Sequence, residues 1–205
     1  MKKIAIFGAS GMTGVCAVEA ALNLGLEVRA LLRDPSKMAE TYRNKIEIIQ
    51  GDVLVESDVE KTVEGRDAVV VALGTRNDLS PTTAMSTGLS NILSAMKKAN
   101  VEKISVCLSA FLFYEPDKVP KIFKDLNEDH QRMFDLLKKE DTLKWIAILP
   151  PHIADTPNTP YTIKHDSSPG RAISKRSLGE FLVESLDKPE HYNQVCGIAT
   201  VVPSS

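Results

Sequence analysis

A short apolar run at the start of the chain leads directly into a glycine-rich turn, and this arrangement restricts the fold more than any other feature. Residues 4–7 are apolar, and Gly8, Gly11 and Gly14 follow at three-residue spacing before a helical pattern. Such a loop between a first strand and a first helix is typical of βαβ dinucleotide sites. Gly8 permits the tight turn, Gly11 lets the backbone approach a pyrophosphate, and Gly14 lets helix and strand pack closely. The sequence predicts dinucleotide binding rather than a turn used only for packing.

The start of the following helix supplies further contacts to the same ligand. Backbone N–H groups in the first helical turn have no partner within the helix and can hold phosphates. Ser10 and Thr13 can add hydroxyl hydrogen bonds, and Met12 lies between them, so we assign all three to the cofactor site. The loop lacks the Lys-Ser/Thr pair of a P-loop.

Apolar runs alternate with helical patterns along the chain. The predicted strands are 4–7, 27–32, 46–50, 68–72, 103–108 and 144–149, and the predicted helices are 13–24, 57–63, 82–99, 126–139 and 175–186. The alternation predicts an α/β fold, a single doubly wound parallel-sheet Rossmann domain over residues 1–205 with helices on both faces. Ser80 with Pro81 predicts the start of the third long helix, and Ser174 predicts a cap for the last one. Two stretches, 111–124 and 150–173, show neither pattern and are expected to be functional loops.

Composition excludes several classes of protein. The 205 residues carry a net charge of −2, from 27 acidic and 25 basic side chains, which is not typical of a nucleic-acid surface. No run approaches the ~18–20 apolar residues of a membrane span. The three cysteines are far apart in sequence, which predicts buried, reduced thiols in a cytoplasmic protein.

The end of the second predicted strand bears on the choice between NAD and NADP. An NAD site usually has an acid there, which holds the ribose hydroxyls. This chain has Arg33, whose guanidinium can make a charge-assisted contact to a 2′-phosphate, and Lys37 four residues later adds a second positive charge. The sequence therefore predicts NADP(H). Asp34 keeps NAD open as an alternative, and both cations would also suit an exposed turn.

The ends of the third and fourth strands offer further cofactor contacts, because ligands of parallel sheets lie outside the carboxyl ends of the strands. Asp52 can accept from an adenine amine and Val53 can pack on the ring, although a plain Gly-Asp turn explains them nearly as well. Leu73, Gly74 and Arg76 follow the fourth strand, where the glycine would permit close approach of a ribose; a loop glycine with a solvated arginine is the alternative.

The ends of the fifth and sixth strands are expected near the nicotinamide. Ser109 can hydrogen-bond the carboxamide or the acceptor, or simply cap the strand end. Pro151, His152 and Ile153 form a rigid exit whose backbone can hold the carboxamide. His152 can titrate near neutral pH, so Ser109 and His152 are the two candidate catalytic residues; packing or a surface position remains the alternative for His152.

Several catalytic patterns are missing. Tyr114 and Lys118 match the spacing of the Tyr–Lys pair of short-chain dehydrogenases, but Pro116 between them argues against the helix that this chemistry needs. The four histidines show no metal-site spacing with each other or with the cysteines, so no metal is predicted. No G-x-S-x-G elbow occurs.

A planar acceptor would need no tyrosine acid, because a flavin or linear tetrapyrrole takes a hydride directly. Phe111, Phe113 and Tyr114 are the candidate walls of such a site, with loop packing as an equal alternative. Lys121 and Arg171 are the candidate partners of phosphate or propionate groups, with simple solvation as the alternative for Lys121. The acceptor site is thus predicted between loops 111–124 and 150–173.

The chain resembles the family of NADPH-dependent flavin reductases, also known as biliverdin-IXβ reductases, in six segments between residue 1 and about 186. They are residues 8–14, 32–34, 74–83, 109–112, 150–153 and 171–175. The resemblance implies a monomeric cytoplasmic enzyme that reduces flavins and bile pigments, with Arg33 on the 2′-phosphate and Ser109, Pro151 and His152 near the nicotinamide. Lys37 and Tyr114 depart from the arginine and tryptophan expected there. A non-catalytic NADP(H)-binding sensor remains the alternative.

Overall fold

The computed structural model describes residues 1–201, which form a three-layer α/β arrangement. The strands are β1 (Lys3–Phe7), β2 (Glu27–Leu32), β3 (Glu47–Gln50), β4 (Ala68–Val71), β5 (Lys103–Cys107), β6 (Lys144–Leu149), β7 (His152–Ala154), β8 (Tyr161–His165), β9 (Ala172–Ser174) and β10 (Gln194–Thr200). The helices are α1 (Met12–Asn23), α2 (Glu40–Arg43), α3 (Glu56–Val63), α4 (Ala84–Ala99), α5 (Lys124–Lys138) and α6 (Lys175–Glu184).

The main sheet has the strand order β3-β2-β1-β4-β5-β6-β10-β8. Every neighbouring pair is parallel except β10 with β8, which is antiparallel. The chain order reverses between β1 and β4, and in doubly wound sheets a ligand binds at this switch point. The predicted α/β Rossmann fold is confirmed, with an antiparallel edge strand added to the parallel sheet.

Alternate residues of the strands point into two separate cores. Ile4 and Ile6 pack with α1 and α6 on one face, whereas Ala5 and Phe7 pack with α3, α4 and α5 on the other. Helices α1 and α6 touch closely, because a Cβ on Gly179 would lie 2.6 Å from the Cys16 backbone carbon. The sheet is therefore covered on both faces, which is why its strands are continuously apolar.

The six strands predicted from apolar runs are all present, but four others were missed. The stretch 150–173 contains β7, β8 and β9, and β10 follows the last helix. Strands β7 and β8 are mostly half-buried or exposed. Strands β7, β8 and β9 lie outside the parallel core, so these three strands lack the apolar run of a central strand. The stretch 111–124 is also partly ordered, as three short 3-10 helices.

Helix α4 begins later than Ser80 and Pro81 predict, at Ala84, and its first turn is capped from another helix. The preceding Thr83 makes no side-chain cap. Instead the fully buried carboxylate of Asp129, on α5, accepts from the Met85 N–H at 3.0 Å and from Ser86. Arg132 completes the arrangement by donating to Asp129 at 3.1 Å. A carboxylate at a helix N-terminus also interacts favourably with the helix dipole, so the cap stabilises α4.

We expect Asp129→Asn to lower the free energy of unfolding by about 2 kcal/mol, because the amide loses the charge that strengthens these hydrogen bonds. Urea denaturation measures the change. Asp135→Asn on the same helix is the matched control, since its ion pair with Lys138 is roughly half exposed, with 47% of the Asp135 side chain accessible, and such pairs contribute about 0–1 kcal/mol. Equal effects of the two variants would contradict the capping role.

Other sequence predictions have clear outcomes. Ser174 caps α6 by accepting from Arg176 N–H at 3.2 Å, as expected. All three cysteines are free and buried, and burial raises the pKa of Cys107 to about 12, which disfavours the reactive thiolate. Among residues 1–201, no helix is both long and apolar enough to cross a membrane.

Candidate functional site

The glycine loop forms a tight turn against the exit of β4. Gly8 has φ +83°, and a Cβ there would lie 2.2 Å from the Ala72 carbonyl oxygen. A Cβ on Gly14 would lie 2.0 Å from the Gly8 carbonyl oxygen. These two glycines therefore allow the turn and the close approach of α1 that the sequence predicted.

The start of α1 faces this turn with backbone donors that have no partner among residues 1–201. Gly11 N–H closes the turn on the Gly8 carbonyl at 2.9 Å, and the first helical bond is from Val15 N–H to Gly11 at 3.0 Å. The N–H groups of Met12 and Thr13 precede that bond, and the first turn contains no acidic side chain. A helix start with free donors and no anion of its own fits a pyrophosphate.

Three cations lie on the segments that follow β2 and β4, the two strands on either side of β1, which leads into the glycine loop. Arg33 and Lys37 are exposed on the turn after β2. Arg76, on the segment after β4, donates to the Ser10 hydroxyl at 3.4 Å. Both Arg76 and the next residue, Asn77, have left-handed backbones, with φ 53° and 72°. The fold thus brings a third cation, distant in sequence, to the edge where a 2′-phosphate is predicted.

Asp34, the residue that kept NAD open, is engaged in the local turn. Its Oδ1 accepts from Ser36 N–H at 2.9 Å and from the Ser36 hydroxyl at 2.6 Å, capping a 3-10 helix over Pro35–Lys37. These hydrogen bonds lower the pKa of Asp34, and the charges of Lys37 and Arg76 lower it further. One carboxylate oxygen is thus already committed to the protein, which weakens the case for a ribose contact.

Of the two alternatives for the residues after β3, an adenine contact or a plain Gly-Asp turn, the structure contains the turn. Asp52 Oδ1 accepts from Leu54 N–H at 3.0 Å, and Asp52 N–H donates to Asp58 at 3.1 Å. The Val53 carbonyl accepts from Asn91 at 3.0 Å. Both residues are half-buried. They form a turn leading into α3, and the predicted adenine contact stays a prediction.

The end of β4 leaves an open edge beside the glycine loop. Leu73 is half-buried against the core, and Gly74 is exposed. A Cβ on Gly74 would meet nothing within 4 Å, unlike those on Gly8 and Gly14. Packing within the protein therefore does not require a glycine at position 74. A glycine that leaves space for a ligand would explain this residue, which fits the predicted approach of a ribose.

The ends of β5 and β6 are joined by backbone hydrogen bonds. Leu108 N–H donates to Ile148 at 2.8 Å, and Ala110 N–H donates to Pro150 at 3.0 Å. Between them lies Ser109, whose hydroxyl oxygen accepts from Phe111 N–H at 3.2 Å and caps a short 3-10 helix. The capping alternative is therefore present, while the hydroxyl proton remains available for donation to a ligand.

The aromatic residues after Ser109 divide into two groups. Phe111 lies against Phe123, with ring centroids 5.2 Å apart, and edge-on to Tyr114 at 5.7 Å. Phe113 instead packs against the core under α4 and α5, which matches the loop-packing alternative for that residue. Tyr114 is 50% exposed. Phe123 was not among the predicted site residues, although it is an aromatic residue in the same stretch, 111–124, as the three that were.

Strand β7 pairs with β9 in parallel, and this pairing brings His152 beside the Arg171 backbone. His152 N–H donates to the Arg171 carbonyl at 3.3 Å, and His152 is paired with Ala172 in register. Pro151 and Ile153 are half-buried, whereas His152, Arg171 and Lys121 are exposed. The two ends of the stretch 150–173 therefore meet at the exit of β6.

The rejected Tyr–Lys pair is also absent in three dimensions. Tyr114 has an extended backbone, and Lys118 ends a separate 3-10 helix that begins at Pro116. Burial, together with the nearby charges of Glu184 and Glu180, raises the pKa of Tyr161 to about 12, so that phenol is a poor proton donor. Within residues 1–201 neither tyrosine has the geometry of a short-chain dehydrogenase acid.

The strand order, the glycine loop at the switch point and the donors at the start of α1 define a dinucleotide-binding Rossmann protein. A family model described as NAD(P)H-binding matches residues 8–189. The chain belongs to this NAD(P)H-binding family and binds NAD(P)H.

The chain is also similar to individual proteins, whose names point to different activities. An uncharacterized chloroplastic protein of Arabidopsis thaliana is 33% identical over 118 residues, covering 54% of this chain, and the match spans only 42% of that protein's length. A candidate NADH-flavin reductase from Streptococcus pneumoniae has a TM-score of 0.79 at 23% identity, covering 98% of this chain and 100% of that one. A candidate NAD-dependent epimerase/dehydratase from Bacillus halodurans has a TM-score of 0.84 at 18% identity, covering 98% and 95%. The two structures share the fold of this chain.

Proposed function

We propose that the chain is an NADPH-dependent reductase that transfers a hydride to flavins such as FMN, FAD and riboflavin, and to linear tetrapyrroles of the biliverdin-IXβ type. The carboxyl edge of the sheet carries this proposal. It combines the glycine loop, the three cations Arg33, Lys37 and Arg76, and a serine hydroxyl beside an aromatic cluster. Residues 1–201 contain no Tyr–Lys pair with the geometry of a short-chain dehydrogenase. The candidate NADH-flavin reductase of similar fold supports the acceptor class.

The preference for NADPH over NADH rests on charge. A 2′-phosphate brings additional negative charge to the edge where Arg33, Lys37 and Arg76 lie. Asp34 shares one carboxylate oxygen with Ser36, so it competes less for the ribose. Charge-assisted contacts of guanidinium to phosphate are among the strong hydrogen bonds of proteins.

In this proposal the protein binds, orients and supplies a proton. The nicotinamide, when bound, supplies the hydride, and the acceptor also takes up one proton for each hydride that it receives. The Ser109 hydroxyl donates to the carboxamide or to the acceptor, which fixes the distance between the two rings. Phe111 and Tyr114 form one wall of the acceptor site, and Lys121 and Arg171 attract its phosphate or propionate groups. His152, exposed at the same edge, passes the proton from solvent.

The direct test is NADPH oxidation by the purified protein with FMN and then biliverdin IXβ as acceptor, and with NADH as the control donor. We expect faster turnover with NADPH than with NADH. Loss of turnover with NADPH binding intact would favour a non-catalytic redox sensor. The proposal further holds that the chain is a single cytoplasmic monomer, and sedimentation at working concentration tests the oligomeric state.

Ser109→Ala should slow hydride transfer in single-turnover experiments by roughly 2- to 13-fold, the rate equivalent of one hydrogen bond of about 0.5–1.5 kcal/mol. The lost cap of the 3-10 helix should cost about 1 kcal/mol of stability. Ser94→Ala, on the exposed side of α4, is the control and should change neither quantity. An unchanged transfer rate in Ser109→Ala would remove this residue from the catalytic site.

A further inference from the structure

Three side chains that are typical metal ligands meet at the β8 edge of the main sheet. His191 and Cys196 are 5 residues apart in sequence, and His165 precedes His191 by 26 residues. Strands β8 and β10 are antiparallel, and their register places His165 directly opposite Cys196. Directly opposed residues of two strands project from the same face of a sheet. His191, at the end of a 3-10 turn over Pro189–His191, precedes β10 and completes the group. We call these three residues the His–His–Cys cluster.

The donor atoms of the cluster are separated by distances that suit one shared ion. His165 Nε2 lies 3.0 Å from His191 Nδ1, and His191 Nδ1 lies 3.8 Å from Cys196 Sγ. The three donor atoms all lie within 4.8 Å of one another. Tetrahedral Zn²⁺, with bonds of about 2.0–2.1 Å to nitrogen and about 2.3 Å to sulfur, needs separations of roughly 3.3 Å between two nitrogens and roughly 3.6 Å between nitrogen and sulfur. Shifts of a few tenths of an ångström would bring these two pairs to those values, and the separation of His165 Nε2 from Cys196 Sγ, which is within 4.8 Å, would also have to reach roughly 3.6 Å.

The surroundings hold the cluster in place and leave one side accessible. Cys196 is fully buried, His191 is half-buried and His165 is exposed, so the ligands run from the core to the surface. The His191 ring packs edge-on against Phe181 of α6, with centroids 5.2 Å apart. Exposure at His165 gives an ion a route to the buried sulfur and leaves room for a water as fourth ligand.

The cluster is separate from the predicted nucleotide phosphates. Strand β10 is the fourth strand from β1, which carries the glycine loop, and β8 is the fifth. At about 4.8 Å between neighbouring strands, β10 lies roughly 19 Å from β1. Strand β8 also lies within the stretch 150–173, so an ion here would hold that stretch to β10.

We propose that the His–His–Cys cluster binds a transition-metal ion of borderline softness, with Zn²⁺ as the best match, through His165 Nε2, His191 Nδ1 and Cys196 Sγ. Two imidazoles and a thiolate are ligands that Zn²⁺ prefers, whereas ions such as Mg²⁺ prefer carboxylates. The thiol proton is released to solvent when the metal–sulfur bond forms, and no oxidation or reduction takes place. The ion would fix the edge strand β8 and is independent of the reductase proposal.

The test is metal binding by the full chain after treatment with a chelator, using Zn²⁺ in calorimetry and Co²⁺ in absorption spectroscopy. We expect one ion per chain, a thiolate-to-cobalt charge-transfer band, and a higher melting temperature with Zn²⁺ because the ion binds the folded state. Cys196→Ser should abolish the charge-transfer band. His165→Ala, at an exposed position, should weaken Zn²⁺ binding by at least about tenfold without unfolding the protein.

Matched controls separate the cluster from other sites on the chain. Cys16→Ser replaces another buried thiol, on α1, and Lys164→Ala replaces the exposed neighbour of His165 on β8. Both should leave the stoichiometry and the spectrum unchanged. Absence of Zn²⁺ binding by the unmodified chain, or equal binding by His165→Ala, would overturn the proposal and leave a simple hydrogen bond between the two histidines.

Discussion

Replacing Arg33 with alanine is expected to weaken NADPH binding by roughly 10- to 150-fold while leaving NADH binding within about twofold of its original value. Arg33 is exposed at the end of β2, and a 2′-phosphate is the only group that distinguishes the two cofactors. A hydrogen bond to a charged group contributes about 1.5–3 kcal/mol, which corresponds to this range of affinities. Fluorescence or calorimetric titration of both cofactors measures the ratio.

Two further variants make this test specific. Arg33→Lys keeps the charge but loses the planar fork, so its NADPH affinity should lie between those of the original chain and Arg33→Ala. Lys45→Ala removes an exposed positive charge just before β3, at the amino edge of the sheet, and should change neither cofactor. Equal weakening of NADPH and NADH by Arg33→Ala would contradict the 2′-phosphate contact.

Arg76 should share this role, because it lies at the same edge of the sheet and its guanidinium donates a hydrogen bond to the Ser10 hydroxyl. If both arginines contact the phosphate, the effects of Arg33→Ala and Arg76→Ala on NADPH binding should not be additive, since the two cations share one partner. A double-mutant cycle with NADPH and NADH measures this coupling.

Replacing Gly8 with alanine is expected to lower the free energy of unfolding by about 3 kcal/mol or more and to abolish cofactor binding. A left-handed backbone costs a residue with a Cβ about 1–2 kcal/mol. In addition the new methyl group would lie 2.2 Å from the Ala72 carbonyl oxygen, so the turn must move away from β4. Denaturation and NADPH titration of the same preparation measure both consequences.

Gly74→Ala is the informative partner of this variant, since a Cβ there meets nothing within 4 Å and its backbone is not left-handed. Stability should therefore stay within about 0.5 kcal/mol. If the cofactor passes over Gly74 as predicted, NADPH binding should still weaken, because the methyl group enters the ligand's space. Unchanged binding in Gly74→Ala would remove this glycine from the cofactor site.

Local signals were sufficient for the parallel core. Strands β1 to β6 could be recognised from their apolar runs, since all of them except the edge strand β3 lie inside the sheet and are covered on both faces. The glycine loop was recognisable because Gly8 and Gly14 occupy positions where no side chain fits. The strands β7 to β10 could not be recognised in the same way. Strands β7, β8 and β9 lie at the edge or in a small separate sheet, where partial exposure removes the apolar run. Strand β10 lies between β6 and β8 and is largely buried, but Gln194, Gly197 and Thr200 interrupt its apolar residues.

The sequence by itself determined the fold class, the position of the dinucleotide loop and the side chains available at each strand end. These depend on neighbouring residues, through backbone conformation and periodic burial. Only the tertiary structure decided which distant groups meet: Arg76 with Ser10, Asp129 with the start of α4, and His165 with His191 and Cys196. Such contacts follow from strand register and helix packing, which bring together residues with no fixed spacing along the chain.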